Sequence, residues 1–292
     1  MNKQLLAHVA LLVANLIYGA NYTIAKEVMP DYIQPFGFIL LRCLGATSLF
    51  WITGLFIKEK IDKKDFPRLV LSALFGIAIN QLMFFKGLNY THPINASVIM
   101  TSTPILVLLM AAIIIKEKIT VMKTIGIGFG LIGTLLILLV GKKLSFSSDT
   151  FIGDLMIWVN ASSYGVYLVI ITPLMKKYHP ITVIKWIFLF GLIMVIPFGY
   201  HEFTMISWTT MPTPIIWATV YVVIGLSFFA YALNSVALKY VSPSVVSTYI
   251  YLQPVLASVF AIAWGKDSLD WIKILSALLI CIGVYLVSKK TP

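Results

Sequence analysis

Carboxylates are scarce in this sequence. Asp and Glu together number 11 among 292 residues, and those beside apolar runs, Glu27, Asp154 and Glu202, all sit at run ends. A proton relay built on a mid-membrane carboxylate is therefore absent, and His8, in the first turns of a run, reads either as a group of the type that titrates near neutral pH or as a capping or interface residue. Cysteine is rarer still: Cys43 and Cys281 both lie inside apolar runs, which excludes a disulfide framework and supplies no metal site. There is no Walker loop, His/Cys cluster or carboxylate pair, and the segments between runs are too short for a catalytic domain. The sequence thus gives no case for an enzyme and calls for no cofactor or metal. Charge as a whole is thin, 11% of residues against 60% hydrophobic, with a mean hydropathy of +0.94. That leaves too little polar surface to cover a soluble globule and places the chain in a bilayer. The net charge of +11 resides in short basic clusters between apolar runs, a topological pattern that makes lipid the partner and excludes nucleic acid.

What the sequence has in abundance is long apolar runs, at about 4–25, 34–57, 67–88, 94–115, 122–141, 152–174, 182–200, 214–237, 244–264 and 270–288. Each approximates the ~20 residues a helix needs to cross about 30 Å of hydrocarbon. The expected fold is an all-α integral membrane protein with ten transmembrane helices. The first run follows Lys3 as a signal peptide would, but it is long, carries Asn15 and Asn21 and lacks a small-residue cleavage site, so it reads as a retained helix. With the N-terminus in the cytoplasm, 15 Lys and Arg fall on the inside and six on the outside, Arg42 lying within a helix. The positive-inside rule then puts both termini in the cytoplasm.

The chain writes one stretch twice. Residues 90–118 reappear at 240–268 with a constant offset of 150, so that Tyr90 falls on Tyr240, Pro93 on Pro243, Ser97 on Ser247, Pro104 on Pro254 and Lys116 on Lys266. Glu117 falls on Asp267, and GLNY before the first copy answers ALKY before the second. The expected units are two five-helix repeats, 1–145 and 146–292. Five is odd, so the second starts on the opposite membrane face and runs inverted, an arrangement suited to alternating access. NLIYG at 15–19 and NASSYG at 160–165 extend the pairing to the first and sixth helices with one inserted residue.

These features carry a resemblance. YGANYTIAK at 18–26, QPFGFILLR at 34–42, KGLNYTHPINAS at 86–97, the proline and KEKIT end at 104–120, GDLMIWVNASSYGVY at 153–167 and ALKYVSPSVVS through QPVLAS in the second half are similar to the EamA-type branch of the drug/metabolite transporter superfamily. The resemblance spans nearly the whole chain. It implies a secondary transporter moving small organic metabolites, often amino acids, outward across the bacterial cytoplasmic membrane, with helices one to four and six to nine around the cavity. The chain departs from the pattern at Tyr18, where tryptophan is common, and at Asp267 and Ser268, which replace the Glu and Lys of the first copy.

Polar side chains within apolar helices need partners, so they mark either interhelical hydrogen bonds or a wet cavity. Asn15, Tyr18 and Tyr22 share one face of the first helix, and Asn160, Tyr164 and Tyr167 repeat that spacing on the sixth. Asn80, Gln81 and Phe84 on the third helix, Ser97 and Thr101 on the fourth, Tyr231 and Asn234 on the eighth, and Tyr249 and Gln253 on the ninth complete a candidate lining for a small-molecule metabolite. Pro104 and Pro254 are either fixed kinks or gating bends. Arg42, about eight residues into the second helix, either meets a substrate carboxylate or lines the outer vestibule, or else it snorkels to the outer interface or pairs with a helix end. Gly126 and Gly130 form a small-xxx-small pair on the fifth helix, suited to packing against the tenth or to a homodimer. The expected function is metabolite export. The alternatives are export of drugs or toxic cations, which would call for a buried glutamate, and a membrane enzyme or channel.

Overall fold

The computed structural model describes residues 3–139, 149–263 and 268–289. Within them lie ten helical spans, and the helices are α1 (Lys3–Val28), α2 (Pro35–Gly54), α3 (Lys63–Leu88), α4 (Asn95–Ile114), α5 (Val121–Leu139), α6 (Phe151–Lys177), α7 (Pro180–Thr204), α8 (Thr213–Leu238), α9 (Pro243–Ala263) and α10 (Trp271–Ser288). No strand occurs among the described residues. Helices form because hydrocarbon offers the backbone no hydrogen-bond partner, so each segment must satisfy its own N–H and C=O groups. Pro35, Pro180, Pro214 and Pro243 open four of the helices in the first turn, where a missing N–H is harmless. The span bounds shift by a few residues from the apolar runs, with α2 stopping at Gly54 and α7 continuing to Thr204. Large apolar side chains on the outside, such as Ile113, Trp217 and Tyr285, form the surface that lipid covers.

Four spans are not regular α-helix. The middle of α3 widens to π geometry over Leu74–Ile79, and α8 does so over Val222–Ala230. α4 is interrupted between Met100 and Thr103, and α9 tightens to a 3₁₀ turn over Tyr249–Tyr251. An offset of 150 carries the first π segment into the second, and carries Thr101 onto Tyr251. The two interruptions touch: the Tyr251 hydroxyl donates to the Thr101 carbonyl at 3.1 Å.

Packing repeats in the same sense. α1 lies on α8 and α9, α6 lies on α3 and α4, α2 pairs with α7, and α5 pairs with α10. The last pair is the closest. A Cβ added to Gly126 would stand 2.7 Å from the Gly283 carbonyl, and one added to Gly133 would stand 2.8 Å from the Ser276 carbonyl. Glycine is what lets these backbones meet. The glycine stripe is thereby occupied by α10 within one chain. Lys142, Lys143, Lys266, Asp267 and Lys290 lie outside the described residues, so two of the repeat's pairings, at 116/266 and 117/267, have no structural counterpart.

Candidate functional site

Four helices bring tyrosines and one arginine together at the centre. Tyr18 of α1 accepts a hydrogen bond from Asn234 Nδ2 of α8 at 3.2 Å, and Tyr231, Tyr164 and Arg42 surround it. Tyr164 and Tyr167, one turn apart on α6, place their rings 5.9 Å apart, and Tyr231 stands edge-on to Phe188 at 5.0 Å. Gln81 of α3 stands beside Tyr231, and Ser235 stands beside Tyr167. Although these side chains face one another across the bundle, Tyr18, Tyr164, Tyr231 and Asn234 are only half-buried. They therefore border an internal space.

Arg42 does not snorkel, contrary to the second sequence reading. It is 7% exposed, and its Nε donates to Ser227 Oγ at 3.0 Å, midway along α8. The cause is local: α2 packs on the π segment of α8, so closely that a Cβ on Gly45 would fall 2.3 Å from Val223 Cγ1. Ser227 lies within that π segment, and its hydroxyl, which accepts from the arginine, donates to the Val222 carbonyl at 3.1 Å. No carboxylate pairs with Arg42 among the described residues. The π segment of α3 faces the same centre, where the Phe75 carbonyl accepts from Ser163 Oγ at 2.5 Å and a Cβ on Gly76 would strike the Tyr167 ring.

The other expected lining residues separate into two groups. Asn15 accepts from Gln253 Nε2 at 3.1 Å, and His8 Nδ1 lies 2.8 Å from the Tyr249 hydroxyl, so α1 and α9 are tied by two polar pairs. Asn80 and Asn160 each donate to the other's backbone carbonyl, at 3.3 and 2.6 Å, fastening α3 to α6. Thr101 joins the interruption contact with Tyr251. Phe84 packs edge-on to Phe85 at 5.4 Å, and Ser97 is half-buried. The side chain of Tyr22 lies outside the described residues. Sequence reasoning missed Ser227, Ser235 and Tyr251; for Tyr251 its register with Thr101 was an available signal, and for Ser227 its i, i+4, i+7 spacing with Tyr231 and Asn234 was another.

Polar ties also lie at both ends of the bundle. At the end expected in the cytoplasm, Lys177 Nζ reaches Asp62 Oδ2 at 2.5 Å and Asp65 Oδ2 at 2.6 Å. Tyr178 donates to Asp65 at 2.7 Å and accepts from the Asp62 amide at 3.1 Å, while the His179 amide donates to Glu59 at 2.9 Å. The Lys177 ammonium, by hydrogen bond and by charge, holds the Asp62 carboxyl below its ordinary range. At the opposite end Glu202 of α7 accepts from the Phe36 and Gly37 amides at 2.7 and 2.9 Å, capping α2, and Asp154 accepts from Thr91 and Thr150. Lys177, read from sequence for topology alone, also joins the segment before α3 to the end of α6.

A ten-helix membrane bundle enclosing a polar, aromatic, half-accessible centre has the architecture of a solute transporter. The EamA-like transporter family matches the chain twice, over residues 5–139 and 151–289, and the chain belongs to that family. It is thus a multi-pass membrane transporter and not an enzyme. The chain is similar to an uncharacterized transporter of Archaeoglobus fulgidus, 27% identical with 97% of each chain covered. The uncharacterized transporter YyaM of Bacillus subtilis is 26% identical, over 98% of this chain and 94% of its own. A WAT1-related protein of Arabidopsis thaliana is 24% identical, over 96% of this chain and 84% of its own. A solved crystal structure shares the fold with a TM-score of 0.81 at 18% identity, covering 96% of this chain and 95% of that one.

Proposed function

We propose that this chain is a secondary transporter that exports small organic metabolites, amino acids and related compounds among them, across the cytoplasmic membrane. The observation that carries this reading is the convergence of Tyr18, Arg42, Tyr164 and Tyr231 from four helices around a space they do not fill. Such a centre offers aromatic faces and hydrogen-bonding groups without covalent chemistry. The two units, 1–145 and 146–292, are inverted copies that exchange conformations in alternating access, with both termini in the cytoplasm. The paired interruptions before Pro104 and Pro254 are the bends about which the halves move. No buried carboxylate stands at the centre among the described residues, which disfavours the cation-exporter alternative. A homodimer gains nothing from the glycine stripe of α5, because α10 occupies it.

The test is an untargeted comparison of metabolites in the medium of overexpressing and deletion strains. Organic metabolites enriched outside the overexpressing strain and depleted outside the deletion strain are expected. Enrichment confined to organic cations would sink this reading in favour of the alternative.

A further inference from the structure

Arg42 carries a permanent charge into the middle of the bundle, and its environment leaves that charge uncompensated. A guanidinium is protonated at any physiological pH and presents five N–H donors in a planar fork. One, on Nε, is used by the neutral Ser227 hydroxyl; among the described residues no other hydrogen bond from Arg42 is formed. Of the carboxylates nearest the spans, Glu27 is exposed at the end of α1 and the others are engaged elsewhere. Glu117 holds Lys123 at 2.7 Å, Glu202 caps α2, and Asp154 accepts from two threonines. A charge taken out of water without a partner is unfavourable and selects for whatever anion can reach it. Tyr18 and Tyr231, near enough to Arg42 to feel its charge, are half-buried, so the arginine lies beside the internal space that they border.

We infer that the transported species is an organic monoanion, a carboxylate bound by the Arg42 fork with its carbon body among Tyr18, Tyr164 and Tyr231, and that the membrane potential drives its export. This rests on the transporter reading above and departs from it at one point, in ranking zwitterionic amino acids below monoanions. The two Nη groups match the two oxygens of a carboxylate. An ammonium group on the same substrate would lie near the guanidinium with only neutral acceptors for company. At about 6 Å and an effective dielectric of about 20, that repulsion lowers affinity roughly a hundredfold. Monoanions are accordingly preferred to zwitterions, and cations are rejected.

The energetic consequence follows from what stays behind. Arg42 remains with the protein, so each turnover moves one net negative charge outward. With the interior negative, the potential favours that movement about fiftyfold per 100 mV. Export then needs no protonatable carboxylate, which accounts for the lack of one at the centre.

The full chain reconstituted in liposomes tests both parts. Sets of matched compounds, such as 3-phenylpropionate, phenylalanine and phenethylammonium with aliphatic and hydroxylated counterparts, are loaded at about neutral pH, with potassium and valinomycin setting the potential. Efflux above that of empty liposomes is expected for monoanions, at least about tenfold faster than for matched zwitterions, and accelerated when the interior is negative. Arg42→Gln should abolish the preference, and Arg42→Lys should retain part of it through charge while losing the fork. Protection of the detergent-purified protein from thermal unfolding by monoanions, lost in Arg42→Gln, gives a readout independent of transport. Faster flux of zwitterions or cations, or monoanion flux indifferent to potential, overturns the inference while leaving the transporter reading standing. Flux of none of the compounds, with no protection by any, overturns both.

Discussion

The hydroxyls of Thr101, Ser102 and Thr103 fold back onto the carbonyls of Val98, Ile99 and Met100 at 2.6, 2.7 and 2.7 Å. Pro104 has no N–H to give, so the carbonyl four residues before it, that of Met100, loses its helical donor. Inside a membrane that loss must be made good locally, and Thr103 does so. Thr103→Val removes the donor while keeping the shape and should destabilise the protein by about 1 kcal/mol. Thr103→Ser keeps the hydroxyl and should be near neutral. Thermal unfolding in detergent of the two variants decides the point; equal stability of Val and Ser variants would mean that water or another group satisfies Met100.

At this scale the sequence disclosed which residues were polar and in the membrane but not what each would bond. Tyr18, Tyr164, Tyr231, Asn234 and Arg42 do meet at one centre. Asn80 and Asn160 looked no different in sequence, yet they are spent on each other's backbone. The difference lies in the helix opposite, and no single-helix pattern encodes it.

Among the elements, α5 and α10 make the closest approach, and it is the easiest to break. A Cβ on Gly283 would lie 2.5 Å from the Gly126 carbonyl, whereas one on Gly128 would meet nothing within 4 Å. Gly283→Ala should therefore force the backbones apart and destabilise by about 1–3 kcal/mol. Gly128→Ala removes unfolded-state freedom on an open helix face and should leave stability unchanged or raise it by about 0.4–1 kcal/mol. Comparing the two variants by thermal unfolding separates a contact requirement from a general intolerance of side chains in α5 and α10. The small-xxx-small spacing made this packing legible beforehand. The π segments of α3 and α8 were not legible, because an apolar run has no period to disturb when one turn widens.

The whole molecule is tied across its two units by the cluster of Asp62, Asp65, Lys177 and Tyr178, which joins the segment before α3 to the junction of α6 and α7. On the alternating-access reading proposed above, opening at this end parts these groups, and the cluster then sets part of the balance between closed and open forms. Its pH dependence has a definite sign. Lys177 depresses the folded-state pKa of Asp62, so the contribution is fully present above the unfolded carboxylate value of about 3.9 and is lost as pH falls through the lower folded value. Across the physiological range it is constant, and its removal there requires mutation. Lys177→Met should therefore raise amide hydrogen exchange in residues 58–65 severalfold at neutral pH and leave little further increase on acidification. In the native chain, exchange corrected for its intrinsic pH dependence should stay flat from about pH 8 to pH 5 and rise only below about pH 4. Because Lys177 and Asp62 are both substantially exposed, salt screens the pair, and added salt should move the native chain toward the variant. If neutral-pH exchange in the native chain and in Lys177→Met were the same, the cluster would be a surface feature without influence on opening.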